Sequence, residues 1–304
     1  MQILFATAPV SVFLRCKFQQ NSTNQEEIRM PFAKEIITSR QNPTVVKLCA
    51  LLDKKERRKT RLFRIDGHKL VSEAIDCGAH IDLVAICSEK ADRLLPLAEK
   101  SGAKTVLLSP EVFSKITEEK APDGIIAVVK YIDEIHKELS LSEIPELASS
   151  DKRIMAFESL RDPGNLGTVI RSASAFGVDT LLLSADCADI YNPKTLRGAM
   201  GAIFSREILF CDDLPAALAR FSCEGRRVLA AILDSEAVSV EKSALTERDI
   251  VLIGNEGHGL SRAAVDASDL SVILPINTGK GVESLNAATA ASVFMWEQRR
   301  VSAK

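Results

Sequence analysis

The second half of the chain repeats one unit, a short run that is apolar on both faces followed by a helical stretch. The candidate strands are RIMAFES, DTLLLS, IFSREILF, RVLAAIL, DIVLIG and LSVILPI. The candidate helices are NLGTVIRSASAFG, PKTLRGAMGA, DLPAALARFSCE, SRAAVDA and the stretch that ends the chain. A strand that is apolar on both faces has no side to show to water. It belongs in a parallel sheet covered by helices on both sides. The fold class is therefore α/β, and this unit takes up residues 151–304.

The first half alternates too. HKLVSEAIDCG reads as a helix, IDLVAICS as a strand, ADRLLPLAEKSG as a helix closed by Gly102, KTVLLS as a strand, EVFSKITE as a short helix and GIIAVVKYI as a strand. Ahead of them Asn42-Pro43-Thr44 opens a helix in which Val45, Leu48, Leu51 and Leu52 recur at helical spacing. This makes a smaller α/β domain over 34–132. Residues 133–150 are polar, carry Pro145 and read as a linker with room for one short helix.

The stretch ILFATAPVSVFLRCKF near the start is too short for a membrane span and lacks the basic start of a signal peptide. QNSTNQEE after it reads as disordered polar sequence, so 1–33 are expected to be a disordered extension or a mis-assigned start. Seven cysteines are scattered without a C-x-x-C pair. That pattern fits reduced thiols in a cytoplasmic protein and argues against a disulfide framework or a zinc site, so no metal is expected.

A formal net charge of −2 gives no global electrostatic reason to bind nucleic acid, so any such surface must be local. One candidate is DKKERRKTRLFR, residues 53–64. Its Lys54, Lys55, Arg57, Arg58, Lys59, Arg61 and Arg64 face only Asp53 and Glu56. Alone it reads as a solvated basic helix end; the alternative is a phosphate-contacting patch through Lys55, Arg57, Arg58, Arg61 and Arg64.

Near the end of the chain, LSVILPI runs into a loop with Gly279 and Gly281, then Ser284-Leu285-Asn286 and an Ala-rich helix. A strand feeding a glycine turn and then a helix exposes backbone N–H groups where a ligand is readily held. Gly279 to Ser284 partly match G-x-G-x-x-G, but Ser284 stands at the third glycine. No later strand supplies the acidic residue that a dinucleotide site needs, and no G-x-x-x-x-G-K-[ST] occurs.

Three stretches together resemble the signature motifs of the SpoU, or TrmH-like, family of RNA ribose 2′-O-methyltransferases within the SPOUT superfamily. They are Asp162-Pro163-Gly164-Asn165-Leu166-Gly167 with Arg171, then Gly254-Asn255-Glu256-Gly257 with Gly259, then Pro275 with Ser284-Leu285-Asn286-Ala287. The stretch 37–75 likewise resembles the substrate-binding domain often found ahead of such catalytic domains. The resemblance implies a C-terminal parallel-sheet SPOUT domain with a trefoil knot, S-adenosyl-L-methionine as cofactor, RNA as substrate and a homodimer formed through the catalytic domain. A large structured RNA, rRNA, is the first expectation. A tRNA, or a non-catalytic role in RNA binding or ribosome assembly, is the alternative.

Methyl transfer to a ribose hydroxyl needs a group that takes or stabilises the departing proton. The resemblance assigns catalysis to Asn165, Arg171, Glu256, Ser284 and Asn286, with Asn165 also capping its helix. Arg171 is better suited to gripping phosphate and stabilising a developing oxyanion than to acting as a base, because a guanidinium stays protonated. Cofactor contacts are expected from Leu252, Gly254, Asn255, Gly257, Ile273, Leu274, Ile276 and Leu285, with the two glycines allowing close backbone approach. His258 is expected to be a bystander. The loop between Pro275 and Ser284 is about two residues longer than the family's usual form. The C-terminal helix, with Val293, Phe294 and Trp296, carries more apolar surface than one chain need bury.

Overall fold

The computed structural model describes residues 35–118, 121–277 and 284–302. The expectations for 1–33 and for the lengthened loop at 278–283 lie outside the described residues.

The first half holds β1 (Ile36–Ile37), α1 (Pro43–Ala50), α2 (Lys54–Thr60), β2 (Leu62–Asp66), α3 (His68–Asp76) and β3 (Ile81–Cys87). It continues with α4 (Ala91–Lys100), β4 (Lys104–Leu108), α5 (Pro110–Ile116) and β5 (Ile125–Lys130). The Asn42 side chain accepts from the Thr44 amide to start α1, and Asp53 does the same for Lys55 at α2. Arg61, in the left-handed region at φ 55, ends α2 and turns the chain into β2. The sheet runs β1-β4-β3-β5-β2, with β5 antiparallel to both neighbours. Along β3, Val84 and Ile86 enter one buried cluster, while Leu83, Ala85 and Cys87 enter another. The two-residue period thus fills both faces.

The second half holds β6 (His136–Glu138), α6 (Ile144–Ser149), β7 (Ile154–Phe157), α7 (Pro163–Phe176), β8 (Thr180–Ser184), α8 (Pro193–Ala199) and β9 (Glu207–Cys211). It closes with α9 (Leu214–Cys223), β10 (Val228–Ala231), β11 (Val238–Ser239), β12 (Ile250–Ile253), α10 (Arg262–Asp266), β13 (Leu270–Ile273) and α11 (Ala287–Ser302). The eight strands run β11-β13-β10-β12-β7-β8-β9-β6 and every pairing is parallel.

Two local expectations change. Residues 133–150 do not form a free linker. His136–Glu138 pair with β9 as an edge strand, and Ile144, Leu147 and Ala148 of α6 are buried in the core. Only the first part of IFSREILF departs from a strand, because Met200–Phe204 form a 3-10 turn and β9 starts at Glu207. That turn opens on Met200 at φ 52 and buries Ile203 and Phe204.

The same basic run divides by burial. Arg57 is 1% and Arg64 is 2% exposed, which corrects their assignment as RNA contacts. Arg57 donates to the Leu51 and Leu52 carbonyls and pairs with Asp189 at 2.6 Å, joining the two halves. Arg64 points inward from β2 to the Leu48 carbonyl at 3.2 Å and to Asp66 at 2.6 Å. Removing one partner from such a buried pair costs roughly 3–5 kcal/mol, because the other charge is left desolvated. Lys55, Arg58 and Arg61 remain exposed. Arg61 pairs with Asp133 and stands 4.4 Å above the Tyr131 ring.

Beside that pair, Tyr191 stacks on Phe63 at 4.3 Å and accepts from the Ile132 amide at 3.0 Å. Its hydroxyl also meets His136 Nδ1 at 2.7 Å. Burial drives the His136 pKa from 6.5 down to about 3. The unfolded chain therefore takes up a proton below pH 6.5 that the native state refuses until about pH 3, so stability falls as pH falls through that window. From pH 7 to pH 5 this one group should remove about 2 kcal/mol of unfolding free energy. Urea titrations at the two pH values should show that loss in the parent and a correspondingly smaller one in His136→Asn. Equal losses in both proteins would reject the assignment.

Candidate active site

A cleft of about 430 Å³ opens at the carboxyl ends of β10, β12 and β13, a size that suits a small-molecule ligand. Its lining includes Ala231, Ile232 and Leu233 at the end of β10, Ile253 to Leu260 at the end of β12, Val272, Leu274 and Ile276, then Ser284 and Leu285. Ala287, Ala290 and Phe294 of α11 close it.

The loop after β12 is folded tightly on itself. Asn255 and Gly259 exchange backbone hydrogen bonds of 3.2 and 2.9 Å, and Gly259 takes φ 66. A Cβ on Gly254 would stand 2.5 Å from Gly259 backbone atoms, so no larger residue fits there. The close approach that demands Gly254 is thus to its own loop. Asn255 is the hub of that loop. Its Oδ1 accepts from the amides of Gly257 at 2.8 Å and His258 at 3.3 Å, and its Nδ2 donates to the Ser159 carbonyl at 2.8 Å.

Ser159 holds a left-handed conformation, φ 56, that a serine seldom adopts. Its hydroxyl donates to Asp186 at 2.6 Å, and Asp186 also accepts from Arg161 and Ser184. Burial by itself would raise the Asp186 carboxyl. The hydrogen bonds from Ser159, Arg161 and Ser184 outweigh it and bring the pKa down to about 2. Next to Ser159, Glu158 accepts from both the amide and the hydroxyl of Ser261 at 2.7 Å. The end of β7 thus clamps the loop at both of its ends.

The motif on α7 is explained in two parts. Asp162, rather than Asn165, caps the helix: its carboxylate accepts the Asn165 amide at 2.9 Å. A hydrogen bond from Lys194 and then that amide lower the Asp162 pKa. A Cβ on Gly167 would come 2.5 Å from the Thr195 carbonyl oxygen and 2.9 Å from Gly198 Cα, so this glycine lets α7 and α8 cross closely.

With the cap supplied by Asp162, the Asn165 side chain is free to bridge. Its Nδ2 donates to Glu256 and its Oδ1 accepts from Asn286 Nδ2 at 3.0 Å. Asn286 in turn accepts the Ala288 and Thr289 amides at 3.0 and 3.2 Å, starting α11. One residue from each of the three motifs therefore meets at one point beside the cleft. Arg171 does not join them. It is exposed on α7 and, among the described residues, forms no ion pair.

Two expected cofactor contacts are corrected. Leu252 is fully buried with Ile250 on the opposite face of the sheet, while Val251 and Ile253 share the cleft side. Ile273 does not line the cleft; its neighbour Val272 does, and adjacent strand residues face opposite ways. Gly254, Asn255, Gly257, Leu274, Ile276 and Leu285 do line it, as do Glu256, His258 and Ser284. Sequence reasoning passed over Ile232 and Leu233, although the end of a strand lying between β12 and β13 is where an α/β sheet places ligands. It also passed over Ser159 and Asp186, for which no local signal exists. Among the described residues no group of three or more His, Cys, Asp or Glu side chains is placed to hold a metal ion.

A SpoU rRNA methylase family model matches residues 152–296, and a model of the MRM3-like substrate binding domain matches 42–127. The chain is 32% identical over 263 residues to the 23S rRNA (guanosine(2553)-2'-O)-methyltransferase RlmP of Bacillus subtilis, covering 86% of this chain and 98% of that protein. It is 28% identical over 287 residues to the 23S rRNA (uridine(2479)-2'-O)-methyltransferase of Streptomyces viridochromogenes, covering 91% and 96%. Among solved structures, an AdoMet-bound rRNA methyltransferase from Sinorhizobium meliloti superposes with a TM-score of 0.75 at 26% identity, covering 88% of this chain and 98% of that one.

The clamp at the end of β7 makes a direct prediction. In Asp186→Ala, Ser159 loses its hydroxyl partner and the left-handed turn relaxes. Amide exchange at Gly257 and His258 should speed up by roughly tenfold while exchange in the β-sheet core stays unchanged. Unaltered exchange in the loop would mean that Asp186 does not hold it.

Proposed function

The chain belongs to the SpoU rRNA methylase family, and we propose that it transfers a methyl group from S-adenosyl-L-methionine to a ribose 2′-hydroxyl of ribosomal RNA. The observation that carries this reading is the meeting of Asn165, Glu256 and Asn286 at the rim of the cleft.

The cleft fits the cofactor by its chemistry. Leu274, Ile276 and Leu285 offer apolar walls for a purine, and the folded-back loop at Gly254–Gly259 offers backbone groups at its edge. When bound, S-adenosyl-L-methionine supplies a methyl group already activated by its sulfonium charge. The chain's own residues orient the acceptor and handle its proton. Glu256 is held through one carboxylate oxygen by the Asn165 amide, which leaves the other oxygen for the hydroxyl proton. Asn286 fixes the amide that holds Glu256, and Ser284 lines the cleft nearby.

Arg171 takes the phosphate next to the reacting ribose and offsets the charge that develops on the oxygen. It lies away from the cleft of its own chain, which supports assembly as a homodimer. Trp296 is 53% and Val293 is 40% exposed on α11, beside Phe176 of α7, whose ring meets Trp296 edge-on at 6.1 Å. A second copy seated on this apolar face adds its own α7 to the neighbourhood of the site. Lys55 and Arg58 supply the cationic surface for RNA, while Arg61 is already paired with Asp133. The knotted C-terminal path and a cytoplasmic location belong to the same reading. Membership of the family supports the former, and the free cysteines among the described residues support the latter.

Arg171→Ala should fold and bind the cofactor within a few-fold of the parent, yet methylate rRNA at least about a hundredfold more slowly, and Arg171→Lys should recover little. Near-normal turnover of Arg171→Ala would leave Glu256 as the leading catalytic group. Light scattering should give a dimer at micromolar concentration for the parent and a monomer for Trp296→Glu. A monomeric parent would reject the homodimer.

A further inference from the structure

We propose that a second cleft, between the two halves of the chain, binds one unpaired guanosine of the RNA, outside the nucleotide that is methylated. The proposal rests on the RNA-modifying function above. This cleft measures about 460 Å³, as large as the cofactor cleft. It opens at the carboxyl ends of β6, β8 and β9, the same edge of the sheet as the cofactor cleft. An RNA strand crossing from the catalytic half to the smaller half runs along that edge.

The cations on one wall come from α2. Lys54 and Arg58 are four residues apart and share a face of the helix. The helix itself is pinned by the buried Arg57–Asp189 pair, which aims that face at the cleft. Arg61 is committed to Asp133 and to the Tyr131 ring. Lys54 and Arg58 have, among the described residues, no hydrogen-bonded or ion-paired partner.

A second wall, from the ends of β6 and β9, carries Glu138 and Asp212. Glu138 lies opposite Phe210 in the β6–β9 register, two residues before Asp212. Neither carboxylate has a hydrogen-bonded or ion-paired partner among the described residues. Burial, then the charge of Asp212, raises the Glu138 pKa, with Arg58 opposing. The repulsion from Asp212 outweighs the attraction of Arg58, and like charges held near each other in this way mark sites of use.

A ligand that satisfies both walls carries an anionic group and a face of N–H donors. A nucleotide has both. Its phosphate suits Lys54 and Arg58, and its base edge faces the carboxylates. Guanine presents an imino and an amino donor side by side, which one carboxylate accepts together. Uracil flanks its single imino donor with two carbonyls, which a carboxylate repels, and adenine and cytosine present only the amino group. Tyr131 and Tyr191, 4.2 Å apart, give the cleft a rigid aromatic side.

Fluorescence anisotropy on the full chain tests this with two labelled hexaribonucleotides, all-uridine and uridine with one central guanosine. The guanosine hexamer should bind about tenfold more tightly. Glu138→Gln and Asp212→Asn should each reduce that preference to about threefold or less, while cofactor affinity by calorimetry stays as in the parent. Arg58→Ala should weaken both hexamers alike and lower the slope of log affinity against log salt by about one. Equal affinity of the parent for the two hexamers, or a preference that survives both carboxamide variants, overturns the proposal. Free GMP binding more tightly than the guanosine hexamer also overturns it, in favour of a free-nucleotide site. A parent that methylates rRNA yet shows no preference removes this inference alone; a parent that binds no cofactor and methylates nothing removes the functional reading beneath it.

Discussion

Every strand of the larger sheet runs the same way, so all the carboxyl ends lie along one edge. Both clefts and all three motifs depend on that constraint. Parallel strands require crossovers, and the crossovers return the chain to the same edge again and again. Segments as far apart as 158–165, 254–261 and 284–286 are thereby delivered to one place. The chemistry is then assembled from short polar side chains at strand ends, where the backbone already needs partners.

The site is held more by polar contacts than by packing. Asn255 ties its own loop together and ties the loop to Ser159, and Asp186 keeps Ser159 in a conformation it would not choose. Asn165 is available for Glu256 and Asn286 only because Asp162 has already taken the helix cap. Each contact frees or fixes the next, so the loss of one distant carboxylate should loosen the loop without touching the core.

The two halves are joined by a buried charge pair and an aromatic stack rather than by a flexible tether. Arg57 crosses to Asp189, Tyr191 packs on Phe63 and bonds the chain at Ile132, and β6 adds the connecting segment to the larger sheet. The orientation of α2 is thus set by burial. That explains how one basic run splits into inward structural arginines and outward cations.

Local pattern carried the elements and the motifs. Short runs apolar on both faces, the helix start at Asn42-Pro43, and the Gly254–Glu256 and Ser284–Asn286 signatures are readable in the chain because each depends on neighbours within a few residues. What pattern cannot carry is which way an ambiguous side chain turns. Arg57 looks like its exposed neighbour Arg58 until Asp189, 132 residues away, takes it inward. Leu252 looks like a cleft residue until the sheet register turns it to the far face with Ile250. Asp186 has no local signature at all, and only the approach of β7 to the β12 loop gives it a role. The sequence by itself determined the α/β class, the longer strands and helices and the three motifs, since these follow from short-range periodicity and turn chemistry, whereas the edge strand β6 was legible only in its pairing with β9. The tertiary structure alone decided which charges are buried and which residues meet, because those depend on contacts between residues far apart in the chain.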